Sequence, residues 1–517
     1  MINNSEFVKE KNLIVGMKKA CCHIFLLLLF SYSTKAAGNE PDTLSIAKSW
    51  IQKGKFKKAE KILAAFERTH AHDLNTLWLH AQTAYWAGYN KTFHTGYKKA
   101  IMQYPSNYYL KLDYALKLVE NGDVKEAIPL LDAYRKYDPS NKHLKLAQAK
   151  IAYWEGNYTA ALQLLKDGSS EKERNEEEVS LKAEIIIARS PWLKVDADYQ
   201  KDDQPMQVIT PGIETGIHIN TLFNPTLLLN NSAFKTDSTS LTVPRIILGN
   251  KSSFYNAGVV ISAQGGIAQL PNKAKVGVGM LEVAKKSFKH LQFIGNVSVQ
   301  PYFTTLSSLS NKVIPAHFAL SAGWDKLNSW NGKITGSLDR FKDKNTIYNI
   351  SAWLFAPPFR FGVFQFRMGY AYGYSDSKES RYVSKESLAS ILTAYSKTKV
   401  IAGVYDPYFT PAHQQVNSAL LNISYGGKRL LVGINASIGF RGKTDDPYLF
   451  LDKNKSNELF VNRGYSHVNF YPHKADAYVL YKIAKQISLK ASYTFLTNNF
   501  YTSQSGSLSL VIHFWNE

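Results

Sequence analysis

The chain has 517 residues, of which 45% are hydrophobic and 20% charged, so it is long enough for more than one domain with a packed core. Its formal net charge of +21 fits either a solvated basic surface or an anionic partner, such as nucleic acid, lipopolysaccharide or an acidic polymer. The sequence has no zinc-finger spacing, RNA-recognition signature or basic helix with heptads, which argues against nucleic acid as that partner. Aromatic residues make up 13% of the chain, a content typical of proteins with aromatic girdles at membrane interfaces.

The first 37 residues have the pattern of a secretory signal peptide. Lys18 and Lys19 precede an apolar run, residues 24–30, and small residues follow at Ala36 and Ala37. The apolar run is too short for a membrane-spanning helix. Met17 fits as the true start, because the signal-peptide pattern begins directly after it with Lys18 and Lys19. Both cysteines of the chain lie in this segment, so the mature protein is expected to have no disulfide.

Residues 40–168 contain a helical repeat. Gly54, Gly88, Gly122 and Gly156 are each separated by 34 residues, which is the tetratricopeptide period. A small residue follows the glycine by five positions in three of the four repeats, and prolines recur between repeats. Glycine permits the tight turn after the first helix of a repeat, and the small residue allows close helix packing. The sequence therefore predicts a tetratricopeptide solenoid, followed by a helical linker over residues 169–190.

Four aromatic residues of this array are candidates for partner binding: Tyr85, Trp86, Tyr153 and Trp154. They could stack on a ligand at the concave face of the solenoid. The favoured interpretation is that they belong to the core between helices, because each repeat must bury its apolar face against its neighbours.

From residue 191 to residue 517 the helical period gives way to alternation of apolar and polar residues. In one segment Phe318, Leu320 and Trp324 alternate with Ser321 and Asp325. The alternating segments are on the order of ten residues long, and aromatic residues lie at their ends, as in membrane-spanning strands. The last segment has apolar residues on one face and resembles the C-terminal assembly signal of outer-membrane barrels. The sequence thus predicts a transmembrane antiparallel β-barrel of about sixteen strands, wide enough for an aqueous lumen.

The longest gaps between strands, near residues 375–411 and 442–464, follow odd-numbered strands in this count. Short gaps follow even-numbered strands. If the N-terminal array is periplasmic, the loops after odd-numbered strands face outward and should be the longer ones, so these gap lengths agree with the expected periplasmic array. The fold class is α + β multidomain, with a helical solenoid followed by a barrel.

Six charged residues are predicted to line the lumen. Alternation puts Arg367, Arg441 and Lys490 on the polar face. Asp325 and Asp339 share that face, and a pair of carboxylates could hydrolyse a glycan. The favoured interpretation is that they form ion pairs, with Lys333 and Arg367 as candidate partners, that hold a hydrated wall. No nucleophile elbow, zinc-protease motif or histidine cluster occurs, so neither catalysis nor a metal or cofactor is expected.

Repeats followed by a large barrel resemble the outer-membrane exporters of poly-N-acetylglucosamine and cellulose. The stretch from Tyr405 to Pro411, followed by a strand, is similar to a glycine-tyrosine-phenylalanine-serine-proline stretch near the end of those porins. Tyr408, Phe409 and Pro411 match, and Thr410 supplies the hydroxyl group, but Pro407 stands in place of the glycine. The array has about four repeats, fewer than cellulose exporters carry. A barrel family of unknown role that accompanies such repeats is equally compatible.

The resemblance implies export of a secreted polysaccharide through the outer membrane, with the repeats recruiting periplasmic or inner-membrane synthesis proteins. A basic lumen favours an anionic polymer, because binding must be favourable enough for the chain to enter and weak enough for it to leave. The alternative is a scaffold that the barrel only anchors in the lipid of the outer membrane, without transport. A barrel enzyme acting on lipid or glycan is a third, less favoured class.

Overall fold

A computed structural model describes residues 43–168, 176–203, 206–254, 257–287, 290–325, 329–394, 401–427, 429–498 and 501–515. The predicted signal peptide lies outside these residues, as does the first part of the predicted linker. The contacts divide the chain into two compact units, Met1–Ile185 and Ile186–Glu517. Among the described helices, none combines the length and the apolar character needed to cross a bilayer.

The first unit is built from pairs of antiparallel helices. Its described helices are α1 (Thr43–Gln52), α2 (Phe56–Thr69), α3 (Leu74–Ala87), α4 (Asn90–Gln103), α5 (Tyr108–Asn121), α6 (Val124–Tyr137), α7 (Lys142–Trp154), α8 (Tyr158–Gly168) and α9 (Glu176–Arg189). Gly88 and Gly122 end α3 and α5 with φ of 82° and 80°, a left-handed conformation that glycine adopts without steric cost. This confirms the predicted turn within each repeat. Asp73 and Asn107 cap the N-termini of the same two helices with their side chains.

The second unit is a large antiparallel sheet. Its strands are β1 (Trp192–Asp202), β2 (Gln207–Gly216), β3 (Pro225–Lys235), β4 (Ser240–Phe254), β5 (Val259–Gln269), β6 (Lys275–Ser287), β7 (Leu291–Val299), β8 (Ala316–Asp325), β9 (Asn331–Arg340), β10 (Thr346–Phe355), β11 (Phe359–Phe361), β12 (Phe364–Ser377), β13 (Tyr382–Ser384), β14 (Gly403–Tyr405), β15 (Gln414–Gly426), β16 (Leu430–Lys453), β17 (Leu459–Phe470), β18 (His473–Lys482), β19 (Ile487–Thr497) and β20 (Thr502–His513). Two short helices, α10 (Leu306–Ser310) and α11 (Leu388–Ala394), lie in the loops.

The sheet closes into a barrel because β1 pairs with both β2 and β20. The ring has 16 strands, as the alternation predicted. Strands β11, β13, β14 and β17 stand outside the ring. The long β16 pairs with β18 through its first half and with β17 through its second half. The predicted gap at 442–464 does lie between two strands of the ring, and much of it forms a hairpin that extends β16 beyond the ring.

We call the end of the barrel at which β1 begins the proximal end, and the opposite end the distal end. The connections at the proximal end are short. The distal end carries the β16–β17 hairpin and the two longest loops, residues 300–315 and 378–413, which contain α10 and α11. The outward side chains of the strands are largely apolar and exposed; Leu320, for example, is 74% exposed. A monomer in water rarely exposes such a band, whereas a membrane barrel needs one.

Candidate functional site

The inner wall of the barrel can be followed residue by residue through the strand pairing. Residues directly opposite each other in an antiparallel ladder point to the same side. One such row runs from Asp196 through Gly212, Asn230 and Arg245 to Ala268. The apolar outward band fixes which side is outside, so these residues face the lumen.

Five of the six predicted lumen residues share this inward side. Lys333 lies opposite Gly323 and Trp353, Asp325 opposite Asn331, and Asp339 opposite His317. Arg367 lies opposite Asn422, and Lys490 opposite Ser509, in rows that also face inward. A role of these residues in a substrate path stays a prediction.

The predicted inward position of Arg441 is corrected by a bulge. The register between β15 and β16 shifts between Asn417 and Ser418, so that Gly439 lies opposite Ser418 and Arg441 opposite Asn417. A bulge inserts one extra residue and moves the following side chains to the other face. Arg441 therefore shares the outer side with Asn417, and simple alternation along β16 could not reveal this.

Charged contacts hold parts of the wall. Arg367 interacts electrostatically with Asp325, as the sequence suggested, but other pairs have partners that the sequence did not suggest. His317 lies 2.7 Å from Asp339 through its Nδ1 atom. Lys194 lies 3.3 Å from Asp196 and 3.5 Å from Glu214. The expected pairing of Asp339 with Lys333 or Arg367 is thus replaced by a neighbouring histidine on β8.

A strip of hydroxyl groups runs along the inner face of β19 and β20. Its members are Ser488, Ser492, Thr494, Ser503, Ser505, Ser507 and Ser509. The hydroxyls of Ser492 and Ser507 are 2.6 Å apart, and Thr494 donates to Asp476 at 2.8 Å. A cavity of about 290 Å³ lies along this strip and reaches Asp198 and Thr210. The strip offers many weak hydrogen-bonding groups and few strong ones.

The loop 300–315 folds into the lumen near the distal end. Leu309 and Phe303 pack on inward-facing apolar residues of β3, β4 and β6, among them Phe234, Val243 and Val278. The guanidinium of Arg245 lies over the ring of Phe303, 5.0 Å from its centroid, where a cation and an aromatic face attract each other. Alternation along the strands did not predict this loop. The signal for it was a group of apolar residues on the side expected to be polar.

The loop 378–413 contains the Tyr405–Pro411 stretch, which anchors it. Tyr408 is 1% exposed and donates from its hydroxyl to Asp343 at 2.7 Å. Arg381 forms an ion pair with the same carboxylate at 2.6 Å, and its backbone N–H donates to the hydroxyl of Thr410. Burial opposes ionisation of Asp343, but hydrogen bonds from Tyr408 and Arg381 leave its pKa below the ordinary value.

The two long loops are also joined to each other. Thr305 donates to the carbonyl oxygen of Pro407 at 2.7 Å, and Ser307 donates to the carboxylate of Asp406. Ser308 is buried and donates to the carbonyl oxygen of Tyr302 at 2.5 Å. The Tyr405–Pro411 stretch therefore ties the loop inside the barrel to the loop that follows β12.

In the helical unit, the four candidate aromatic residues are mostly structural. Tyr85 is 6% exposed and donates to Glu120 at 2.7 Å, so it belongs to the core. Trp86 packs against that core and lies near the ring of Phe56. Tyr153 packs in the second apolar cluster, whereas Trp154 is 37% exposed. Of the four, Trp154 has the largest surface open to a partner.

A buried carboxylate that the sequence analysis did not single out joins three helices. Asp113 on α5 is 3% exposed and accepts from the indole of Trp78 at 2.5 Å and the amide of Gln82 at 2.7 Å, both on α3. It also accepts from the hydroxyl of Tyr97 on α4, whose pKa burial raises well above its ordinary value. Among the described residues, no group of three or more histidine, cysteine or acidic side chains is arranged to hold a metal ion.

Comparison with known proteins identifies the repeats. A tetratricopeptide repeat family model matches residues 97–151 and 118–185. The chain therefore contains tetratricopeptide repeats, and a closed antiparallel β-barrel of 16 strands follows them. The repeat-plus-barrel architecture expected from the sequence is therefore confirmed.

Solved structures similar to this chain include "Bacterial polysaccharide outer membrane secretin", at 9% identity and a TM-score of 0.45, covering 63% of this chain and 99% of that one. The OmpT outer membrane protein of Vibrio cholerae, with loop L8 deleted, matches at 9% identity and a TM-score of 0.31, over 63% of this chain and 98% of that one. OpdK from Pseudomonas aeruginosa matches at 10% identity and a TM-score of 0.32, over 63% and 98%. No curated protein matches this chain in sequence.

Proposed function

We propose that the barrel is a passage for a linear secreted polysaccharide across the outer membrane, and that the periplasmic repeats bind a protein of the synthesis machinery. The observation that carries the proposal is the closed ring of 16 strands with a polar inner face. Rings of this size leave an aqueous channel, whereas small barrels are filled by their own side chains.

The hydroxyl strip on β19 and β20 supports a glycan as the transported molecule. Sugar hydroxyls can exchange hydrogen bonds with successive serines, such as Ser505, Ser507 and Ser509, without a single tight site. Transport needs many weak binding sites for the glycan and no single strong one, because a tightly bound glycan chain would not leave the barrel. The Tyr405–Pro411 stretch, similar to that of exopolysaccharide porins, adds to the argument from a different part of the chain.

The joined distal loops favour a second candidate, a repeat scaffold anchored by a plugged barrel. Thr305 and Ser307 hold the inner loop against residues 406–407, which narrows the passage. In this case the repeats alone would carry the function, through surfaces such as that of Trp154.

Planar-bilayer recording of the purified full chain separates the two candidates. A passage should give a stable open channel that linear maltohexaose interrupts transiently and that glucose, at the same mass concentration, interrupts much less. A control variant in which residues 385–402 are replaced by a short glycine-serine linker should keep the channel. If neither protein conducts although both migrate as folded barrels, the polysaccharide passage is disproved and the anchored scaffold stands.

A further inference from the structure

Charge is distributed unevenly along the axis of the lumen. Near the proximal end, the inward side is dominated by cations, namely Lys251, Lys333, Arg360, Lys482 and Lys490. Each of them is paired across the sheet with a residue whose side chain faces the lumen, and so faces the lumen itself. Lys251 lies opposite Ser262, and Lys482 lies opposite Ser488. We call these five residues the proximal cation belt. Four of them stand on different strands of the ring, and Arg360 stands on β11, which pairs with the start of β12.

Two further cations at this end are already balanced. Lys194 forms ion pairs with Asp196 and Glu214. Arg367 interacts electrostatically with Asp325. The charges of Lys194 and Arg367 are thus compensated by neighbouring carboxylates. The positive charge of the proximal cation belt remains in excess at this end of the lumen.

Farther from the proximal end, the inward side carries mainly carboxylates. They are Asp198, Glu282, Asp339 and Asp476. The cations of this part are already engaged: Lys474 lies 3.2 Å from Asp476, and Arg245 donates to Asn230 at 2.9 Å and contacts Phe303. The lumen therefore changes from positive to negative along its axis.

We propose that the proximal cation belt captures an anionic glycan, one that carries carboxylate or similar acidic groups, from the proximal side of the membrane. This inference rests on the proposed polysaccharide passage and names its substrate class and direction of capture. A charged, low-dielectric mouth concentrates ions of opposite sign and raises their rate of arrival. The carboxylates beyond it repel the same groups, so that the glycan is not held permanently inside.

The position of Lys490 connects the belt to the hydroxyl strip. It stands on β19 between Ser488 and Ser492 on the same side and lies directly opposite Ser509. A glycan drawn in by its acidic groups therefore meets hydroxyl groups as soon as it passes the belt. The positive charge of the belt attracts the glycan to the mouth of the barrel, and the neutral hydroxyl groups of the strip form hydrogen bonds with it as it moves through the lumen.

The test compares the wild-type chain with the triple variant Lys333→Gln, Lys482→Gln, Lys490→Gln in planar bilayers. The matched control is Lys201→Gln, Lys235→Gln, Lys275→Gln, which removes the same charge from outward-facing strand ends. Oligogalacturonate is the anionic probe, and maltodextrin of equal length is the neutral probe. Insertion from one chamber orients the channel, because the folded repeats that precede β1 cannot cross the bilayer.

We expect oligogalacturonate to block wild type and control mainly from the proximal chamber, with maltodextrin blocking less. In the belt variant, the rate of block by oligogalacturonate should fall about tenfold, the lower end of the effect of charge-lined mouths, while block by maltodextrin stays unchanged. An open channel that both probes block equally, or from both sides alike, overturns the capture proposal and leaves the passage intact. A folded chain that never conducts overturns both.

Discussion

Phe341 and Tyr408 stack face to face, with ring centroids 3.8 Å apart and planes within 6° of parallel. Phe341 follows β9, and Tyr408 belongs to the long loop after β12, so the stack joins two distal loops. Tyr302, from the loop inside the lumen, meets both rings edge-on at about 6 Å. Three loops thus share one aromatic cluster at the distal end of the barrel.

Replacing Tyr408 separates the contribution of this stack from that of its hydroxyl group. Tyr408→Ala should cost roughly 3 to 5 kcal/mol of local packing. Tyr408→Phe keeps the ring and should cost less, about 1 kcal/mol for each hydrogen bond of the lost hydroxyl, which donates to Asp343 and accepts from Arg381. We expect the loop 378–413 to be cut by trypsin much faster in the alanine variant and little faster in the phenylalanine variant. Equal cleavage of both would mean that the stack does not hold the loop.

Much of this architecture could be predicted from the sequence because it is periodic. The 34-residue spacing of glycines and the alternation in segments such as residues 318–325 follow from local geometry. The distal end could not be predicted in the same way, because it depends on contacts between residues far apart in the chain. The hydrogen bond from Thr305 to Pro407 is one such contact. The bulge before Arg441 could not be predicted either, because it shows only in the pairing of β16 with β15.

Adjacent residues on one strand provide a test of the two barrel faces. Leu320 points outward and Ser321 inward. A cation on the lipid side of a barrel costs about 2 to 4 kcal/mol near the bilayer midplane, whereas a lumen position is hydrated. Leu320→Arg should therefore refold poorly into lipid vesicles, and Ser321→Arg should refold nearly as well as wild type. Gel mobility with and without heating measures the folded fraction, and similar losses in both would contradict the assigned faces.

Asp113 should be a major contributor to the stability of the repeats. Asp113→Ala leaves the donors of Trp78, Gln82 and Tyr97 without their acceptor, at about 1 to 3 kcal/mol for each unsatisfied group. Asp113→Asn keeps one oxygen acceptor and should cost less. Helical circular dichroism of the full chain in detergent should show a lower melting temperature for the alanine variant. Heat-dependent gel mobility, which reports the barrel, should not change.

His143 should make the stability of the repeats depend on pH. Burial, together with the neighbouring charge of Lys142, lowers its pKa below the ordinary 6.5, although Glu178 and Glu177 act in the opposite direction. Well above pH 6.5 the side chain is neutral in both the folded and unfolded states. As the pH falls, the unfolded state takes up the proton first, so the free energy of unfolding decreases toward the folded pKa.

The decrease should be measurable as a lower helical melting temperature at pH 5.5 than at pH 7.5. His143→Gln removes the titrating group and should reduce the difference between the two conditions. If the variant responds to pH as strongly as wild type, another group is responsible for the effect.

The loop inside the lumen should limit the conductance of the channel. Leu309 is fully buried among inward residues of β3, β4 and β6, and it fixes α10 against the wall. Leu309→Ala removes about 2 to 5 kcal/mol of packing from this contact, which lets the loop leave the wall more often. Single-channel recordings should then show larger or more frequently fluctuating currents.

The control Leu248→Ala makes the same change at an outward residue that is 65% exposed, and it should leave the currents unchanged. Unaltered currents in Leu309→Ala would place the narrowest part of the passage elsewhere, with the joined residues 405–411 as the next segment to vary.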